Sequence, residues 1–145
     1  MKKLIVLATV VVAVALAPSA MAAASADRAT VTAGPSRFGR ILFDGRGFVL
    51  YAFTRDPRKR SVCAGACAAA WPPYLVPKAP KAGPGVRRAL LGSTRRKDGT
   101  IQVTYAGRPL YYYEGDRAPR QILCQNVSEF GGLWLVARPT GTLVR

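Results

Sequence analysis

The chain has 145 residues, half of them hydrophobic, and carries 22 Lys and Arg against 7 Asp and Glu, a net charge of +15. It contains no His. That excludes a Ser-His or Cys-His nucleophile pair, an imidazole zinc or copper site and an imidazole pH switch.

The N-terminus reads MKKLIVLATVVVAVALAPSAMA. Two lysines precede an apolar run from Leu4 to Ala17, Pro18 breaks it, and a small-x-small site follows at Ala20 to Ala22. This is the pattern of a signal peptide over 1–22, cleaved between Ala22 and Ala23, with Ala24 as the alternative site. The apolar run is too short to span a bilayer comfortably. No cysteine follows it to carry a lipid, so the expectation is a soluble exported protein without a lipid or transmembrane anchor. Cleavage takes Lys2 and Lys3 and no acidic residue from the +15, leaving +13. Such an excess attracts anionic cell-surface polymers. The basic residues are scattered and form no recognisable nucleic-acid motif, so no specific nucleic-acid partner is expected.

An N-terminal segment, 23–36, precedes the first strong pattern. From Arg37 to Phe53 the chain alternates around Asp44-Gly45, a hairpin signal between β-rich flanks. Strands are expected near 38–43 and 47–54. In the second, Val49, Tyr51 and Phe53 share one face and Phe48, Leu50 and Ala52 the other, so it reads as central. A basic turn, Thr54 to Ser61, leads to an Ala-rich stretch that suits one short helix near 62–70, ended by Pro72-Pro73. The Pro/Gly/Lys-rich stretch 77–86 has no hydrophobic pattern and reads as a linker. Beyond it Asp98-Gly99 marks a second hairpin, with strands near 88–96 and 100–105. Ala106-Gly107 turns into a strand at 108–114, 117–132 reads mostly as loop, and 133–145 supplies a closing strand or two.

The two parts repeat each other. GFVLYAFTRD (Gly47 to Asp56) and GRPLYYYEGD (Gly107 to Asp116) share Gly, Leu, Tyr and Asp at the same offsets. With an offset of 60, Ile41 meets Ile101. Each phrase is followed by a Trp, Trp71 or Trp134. Repeat 1 is thus placed at 37–76 and repeat 2 at 87–145. A unit this small cannot bury a face alone. The expected fold is therefore one small, mainly β domain of two hairpin-based repeats packed on a shared core.

The repeated phrase carries Tyr51, Phe53 and Asp56, then Tyr111, Tyr113 and Asp116. Stacked strand aromatics are usually core, and Asp suits a strand-ending turn in which its carboxylate accepts backbone N–H groups two or three residues on. The functional alternatives are a pair of aromatic grooves for a sugar or peptide, or a glycan-processing acid–base pair of Asp56 and Asp116, which would need both carboxylates in one cleft.

Cys63, Cys67 and Cys124 enter an oxidising space, where a structural disulfide is expected. Chain entropy favours a long loop closed on Cys124, and encounter frequency favours the near pair. In a regular helix residues i and i+4 are about 5–6 Å apart at Cβ, beyond disulfide range. A Cys63–Cys67 bridge therefore needs non-helical backbone at Cys63 or near Gly65. The alternative use of this pair is thiol redox chemistry or Cu(I) handling.

GFVLYAFTRD, SVCAGACAAAWPP, GRPLYYYEGD and GGLWLV together resemble the bacterial secreted repeat family with a Tyr-x-(aromatic)-x-x-Asp motif, many of whose members are described as predicted lipoproteins. The resemblance runs from about Ala33 to Thr140. It implies an exported protein with no assigned catalytic residue or cofactor. If the family's bridge joins Cys63 and Cys67, Cys124 stands unpaired where members typically have Gly, free to form a disulfide dimer or compete for the bridge. The chain departs from the lipoproteins in lacking the lipid-bearing cysteine. The sequence reading is thus an exported, non-catalytic β-repeat module with a binding or structural role at the cell envelope, needing no cofactor or metal.

Overall fold

The structure is a computed structural model that describes residues 28–145. The expected signal peptide and its cleavage site at Ala22-Ala23 lie outside the described residues. In chain order the elements are β1 (Thr30–Ser36), β2 (Gly39–Asp44), β3 (Tyr51–Phe53), a five-residue helix (Ala66–Ala70), β4 (Lys81–Ala82), a 3-10 turn (Arg88–Leu90), β5 (Leu91–Arg95), β6 (Ile101–Tyr105), β7 (Arg108–Tyr111), β8 (Val127–Glu129) and β9 (Gly132–Val136). They form a three-stranded sheet, β2-β1-β4, and a six-stranded sheet, β5-β6-β7-β3-β9-β8. Among the described residues the fold is mainly β with a short helix at Ala66–Ala70, as the patterning required.

The two motif strands lie side by side in the middle of the larger sheet. β3 pairs antiparallel with β7, and Tyr51 faces Tyr111 directly in the register. An antiparallel pair centred on equivalent residues relates the two repeats by a local two-fold axis. The flanks obey it as well. On one side β9 pairs with β3, matching Trp134 with Phe53 and Val136 with Tyr51. On the other, the segment after Trp71 lies along β7: Pro73 bridges Tyr111, Tyr112 N–H donates to the Pro72 carbonyl at 2.8 Å, and Tyr74 N–H to the Leu110 carbonyl at 2.9 Å. Pro72-Pro73 therefore does more than end the helix. Each proline keeps its carbonyl as an acceptor, and the missing N–H groups keep the segment from becoming a full ladder.

β3 is central and apolar on both faces, as its alternation implied, and the two faces feed two cores. One holds Ile41, Phe43, Val49, Tyr51, Phe53, Trp71, Tyr111 and Trp134; the other holds Leu42, Leu50, Tyr74, Val103, Tyr105 and Leu110. Trp71 and Trp134, one per repeat, stack at the centre of the first with ring centroids 4.1 Å apart and planes 4° from parallel, and both are wholly buried.

Several expectations are corrected. The N-terminal segment, read without an element, contains β1, which pairs with the whole of β2; Gly34 and Pro35 dilute its alternation. The expected linker contributes β4, which pairs in parallel with Thr30 and Val31 of β1. The strand expected from 88 begins only at Leu91, after the 3-10 turn. The strands expected at 47–54 and 108–114 are regular only over Tyr51–Phe53 and Arg108–Tyr111. The loop expected at 117–132 contains β8, joined to β9 through Phe130 and Gly131, both at positive φ. Phe is an unusual residue for such a turn, so no turn signal marked it.

Because each Trp contacts aromatics of both repeats, Trp71→Ala or Trp134→Ala should cost about 3–5 kcal/mol, with a single unfolding transition in either case. A denaturant titration followed by near-UV circular dichroism checks it; separate transitions for the two repeats would contradict the shared core.

Candidate functional site

The motif residues are brought together, but across the repeats. The Tyr51 hydroxyl donates to Asp116 Oδ2 at 2.7 Å, and the Tyr111 hydroxyl donates to Asp56 Oδ2 at 2.6 Å. Each phrase supplies a tyrosine to the other's aspartate. The second carboxylate oxygens are occupied in the same symmetric way: Asp56 Oδ1 accepts Val62 N–H at 2.8 Å, and Asp116 Oδ1 accepts Leu123 N–H at 3.0 Å. Each Asp backbone N–H closes a turn onto the carbonyl of the motif's second aromatic, Phe53 or Tyr113.

The aromatics cross over too. Tyr51 meets its own repeat's Trp71 edge-on, while Tyr113 of repeat 2 packs on Trp71 at 4.8 Å. Tyr111 meets its own Trp134 edge-on, while Phe53 of repeat 1 stacks on Trp134 at 4.2 Å. Glu129 binds both indoles, accepting Trp71 Nε1–H on Oε2 at 2.7 Å and Trp134 Nε1–H on its carbonyl at 3.3 Å.

This corrects the local-turn reading of the aspartates. Their carboxylates do not cap the next two or three residues. They reach six or seven residues on and across to the other repeat, because antiparallel pairing at Tyr51–Tyr111 sends each side chain toward the end of the opposite strand.

Burial sets the electrostatics. The Tyr51 hydroxyl is held well above its ordinary titration range, first by burial and then by the Asp116 carboxylate beside it. Burial and Asp56 do the same to Tyr111. Asp56 and Asp116 are pushed up by burial, against the opposing pull of the tyrosine and backbone donors. In this geometry the tyrosines are donors and the aspartates acceptors, with all four carboxylate oxygens engaged. Such a clasp holds the repeats together; it presents neither a free base nor a free acid to a substrate.

The two clasps differ in their surroundings. Ser61 Oγ bonds the Tyr111 hydroxyl at 2.7 Å and accepts Arg96 Nη1–H at 2.6 Å, extending that clasp to the turn between β5 and β6. Beside Tyr51 stands Cys124, whose thiol is raised chiefly by burial and lies close enough to the Tyr113 hydroxyl for each to shift the other's titration. Val62 and Leu123 play the same part toward Asp56 and Asp116, so their successors Cys63 and Cys124 are equivalent positions. An offset of 60 aligns Cys63 with Leu123 and hides this; one added residue in the second loop restores it.

Cys63 is bridged to Cys67 with Cα atoms 5.3 Å apart, and Cys124 is a free thiol. The geometry meets the requirement drawn from helix spacing. Gly65, at φ 56° and ψ −128°, precedes the helix, so Cys63 lies outside it. Both bridged cysteines are buried, at 1% and 7% exposure. In this form the pair offers no thiolate to Cu(I). Among the described residues there is no cluster of three or more His, Cys, Asp or Glu side chains able to hold a metal, and no helix long and apolar enough to cross a membrane.

A family model described as a secreted repeat of unknown function matches residues 36–74 and 92–138, one segment in each repeat and together more than half of the chain. The chain belongs to this family. Comparison with curated proteins and with solved structures finds no match. The secreted repeat is thus present twice, and the crossed clasp is made by its two copies.

Four outcomes follow. Tyr51→Phe and Tyr111→Phe should each cost about 1–3 kcal/mol by leaving a carboxylate oxygen without its donor. A Tyr51–Asp116 double-mutant cycle should show coupling, whereas Tyr51 with Asp56 of the same repeat should be additive. Reducing the bridge, or Cys63→Ser with Cys67→Ser, should cost about 2 kcal/mol, read by chemical denaturation. The raised tyrosines bind protons more tightly folded than unfolded, so their stabilisation is full below their unfolded titration and lost as pH rises above about 10. Phenolate absorbance of the buried tyrosines should then appear together with unfolding, not before it.

Proposed function

We propose that this member of the secreted repeat family is a non-catalytic module retained at the cell envelope by anionic polymers. The observation that carries the reading is where the negative charge has gone. Among the described residues Asp44 is wholly buried, accepting Phe48 N–H and the Tyr112 hydroxyl as well as Arg46. Asp56 and Asp116 serve tyrosines, and Glu129 serves an indole. Among the described residues the ion pairs are Arg46–Asp44 and the loose Arg96–Asp98. Asp56, Asp116 and Glu129 are spent inside the fold on uncharged donors, while among the described residues most exposed Arg and Lys face solvent without a carboxylate partner.

Some of these cations are fixed in place rather than waving in solvent. Arg120 lies over the Phe43 ring at 4.4 Å and donates to the Pro35 carbonyl at 3.1 Å; Arg37 donates to the Ile122 carbonyl at 2.7 Å. A guanidinium held by a carbonyl keeps its full charge and most of its donors for a phosphate or carboxylate. The non-catalytic part rests on the saturated Asp56 and Asp116. Cys124, partly buried beside Tyr113, is a poor candidate for rapid dimer formation.

On a column bearing an anionic polymer the protein, freed of residues 1–22, should be retained at low salt and released steeply as ionic strength rises. Retention that ignores salt would overturn the polymer reading.

A further inference from the structure

We propose that the cavity between the 60–64 loop and the β5–β6 turn is a binding site for an oxyanion on a small apolar body, of which the C-terminal carboxylate of a peptide is the chemistry that fits best. The proposal does not rest on the polymer reading above: it concerns one discrete pocket rather than a charged surface.

The cavity measures about 340 Å³, at the small end of ligand sites. Arg60, Lys97 and Asp98 stand in its lining with Val62, Ala64 and Arg96. Arg96 is the unusual member. Its side chain is only 7% exposed, yet the nearest carboxylate, Asp98, sits 3.7 Å away and is itself 59% exposed. That separation is too long for a hydrogen bond. Arg96 Nη1 serves Ser61 and Gln102, and Nη2 serves the Cys63 carbonyl, all at 2.6–2.8 Å. Nε is buried and has no hydrogen-bond partner. The close acceptors of this buried guanidinium are all uncharged. Its carboxylate neighbours, Asp98 at 3.7 Å from Nε and Asp56 acting through space, leave it without a hydrogen-bonded anion, a costly state that a bound anion would relieve.

The surroundings say which anion. Arg60 and Lys97 are exposed at the rim and add positive charge. Val62, 45% exposed, and Ala64 give a small apolar surface beside the charge. Asp98 is tied to its own turn, its Oδ1 accepting Thr100 N–H and Oγ1–H. It therefore occupies the anion's place loosely, as a competitor rather than a true partner. The floor is rigid, because Arg96 is held to the disulfide loop at Cys63 and, through Ser61, to the Tyr111–Asp56 clasp. The site uses both repeats, with the 60–64 loop from the first and the β5–β6 turn from the second.

Calorimetric titration of the folded protein at fixed ionic strength with N-acetyl-alanyl-alanine, its C-terminal amide and inorganic phosphate tests this. The expected result is saturable binding of the carboxylate and none of the amide. Asp98→Asn should tighten it about two- to fivefold by removing the competing charge. Arg60→Gln with Lys97→Gln, both at the exposed rim, should weaken it about fivefold or more with the melting temperature unchanged. An inert pocket would show no gain in Asp98→Asn. Saturable phosphate binding with the same response to the variants, and no dipeptide binding, would keep the oxyanion site and replace the peptide with a phosphate monoester. Absence of saturable binding by both anions, or binding indifferent to Asp98→Asn, overturns the proposal, whatever the polymer column shows.

Discussion

The structure depends on the antiparallel pairing of β3 with β7 at Tyr51 and Tyr111. Once equivalent residues of two copies face each other in an antiparallel ladder, whatever one copy sends across, the other returns. Tyrosine reaches aspartate, the second aromatic reaches the opposite tryptophan, and the tryptophans meet on the axis. Neither repeat satisfies its own motif. Half of this arrangement would leave a carboxylate without its donor and an indole face open to water, so the two copies stand or fall together.

This explains why Tyr, an aromatic and Asp recur at fixed spacing without forming a visible active site. Tyr and Asp lie five positions apart, which in an extended strand and turn is too far for them to bond each other and suits bonding to a copy running the other way. The Tyr supplies a large apolar body for the core and one polar tip, and the tip must find an acceptor when buried. The Asp supplies that acceptor and uses its other oxygen to fix the loop that follows. The motif is a recipe for joining two copies, and the loops it pins are where the copies diverge: a disulfide and helix after Asp56, a free cysteine and a short strand after Asp116.

That divergence is where chemistry particular to this chain collects. The loop after Asp56 carries the disulfide, Ser61 and the carbonyl that hold Arg96, and the cavity opens there. The loop after Asp116 carries Arg120 and Cys124. A two-fold core with unequal loops is a rigid base on which one face can vary without disturbing the clasp.

The sequence by itself determined the repeat, the β class and the burial of both faces of β3, because strand periodicity and a duplicated phrase are local signals. It also bounded the chemistry by the missing histidine, and helix geometry set the condition on a Cys63–Cys67 bridge that Gly65 meets. The tertiary structure decided the partners. Which carboxylate Tyr51 meets depends on strand order and register, which no local pattern encodes. The correspondence of Cys63 with Cys124 appears only through the carboxylates that fix Val62 and Leu123, since a one-residue insertion shifts the alignment. β1 and β8 escaped notice because Gly34, Pro35 and the polar brevity of Val127–Glu129 give weak strand signals, and they form where neighbouring strands supply the hydrogen bonds. In the sequence Arg96 is the last residue of an expected strand with nothing to single it out; folding places it against the other repeat's loop, where burial without a hydrogen-bonded counter-ion gives it a meaning that its sequence position does not.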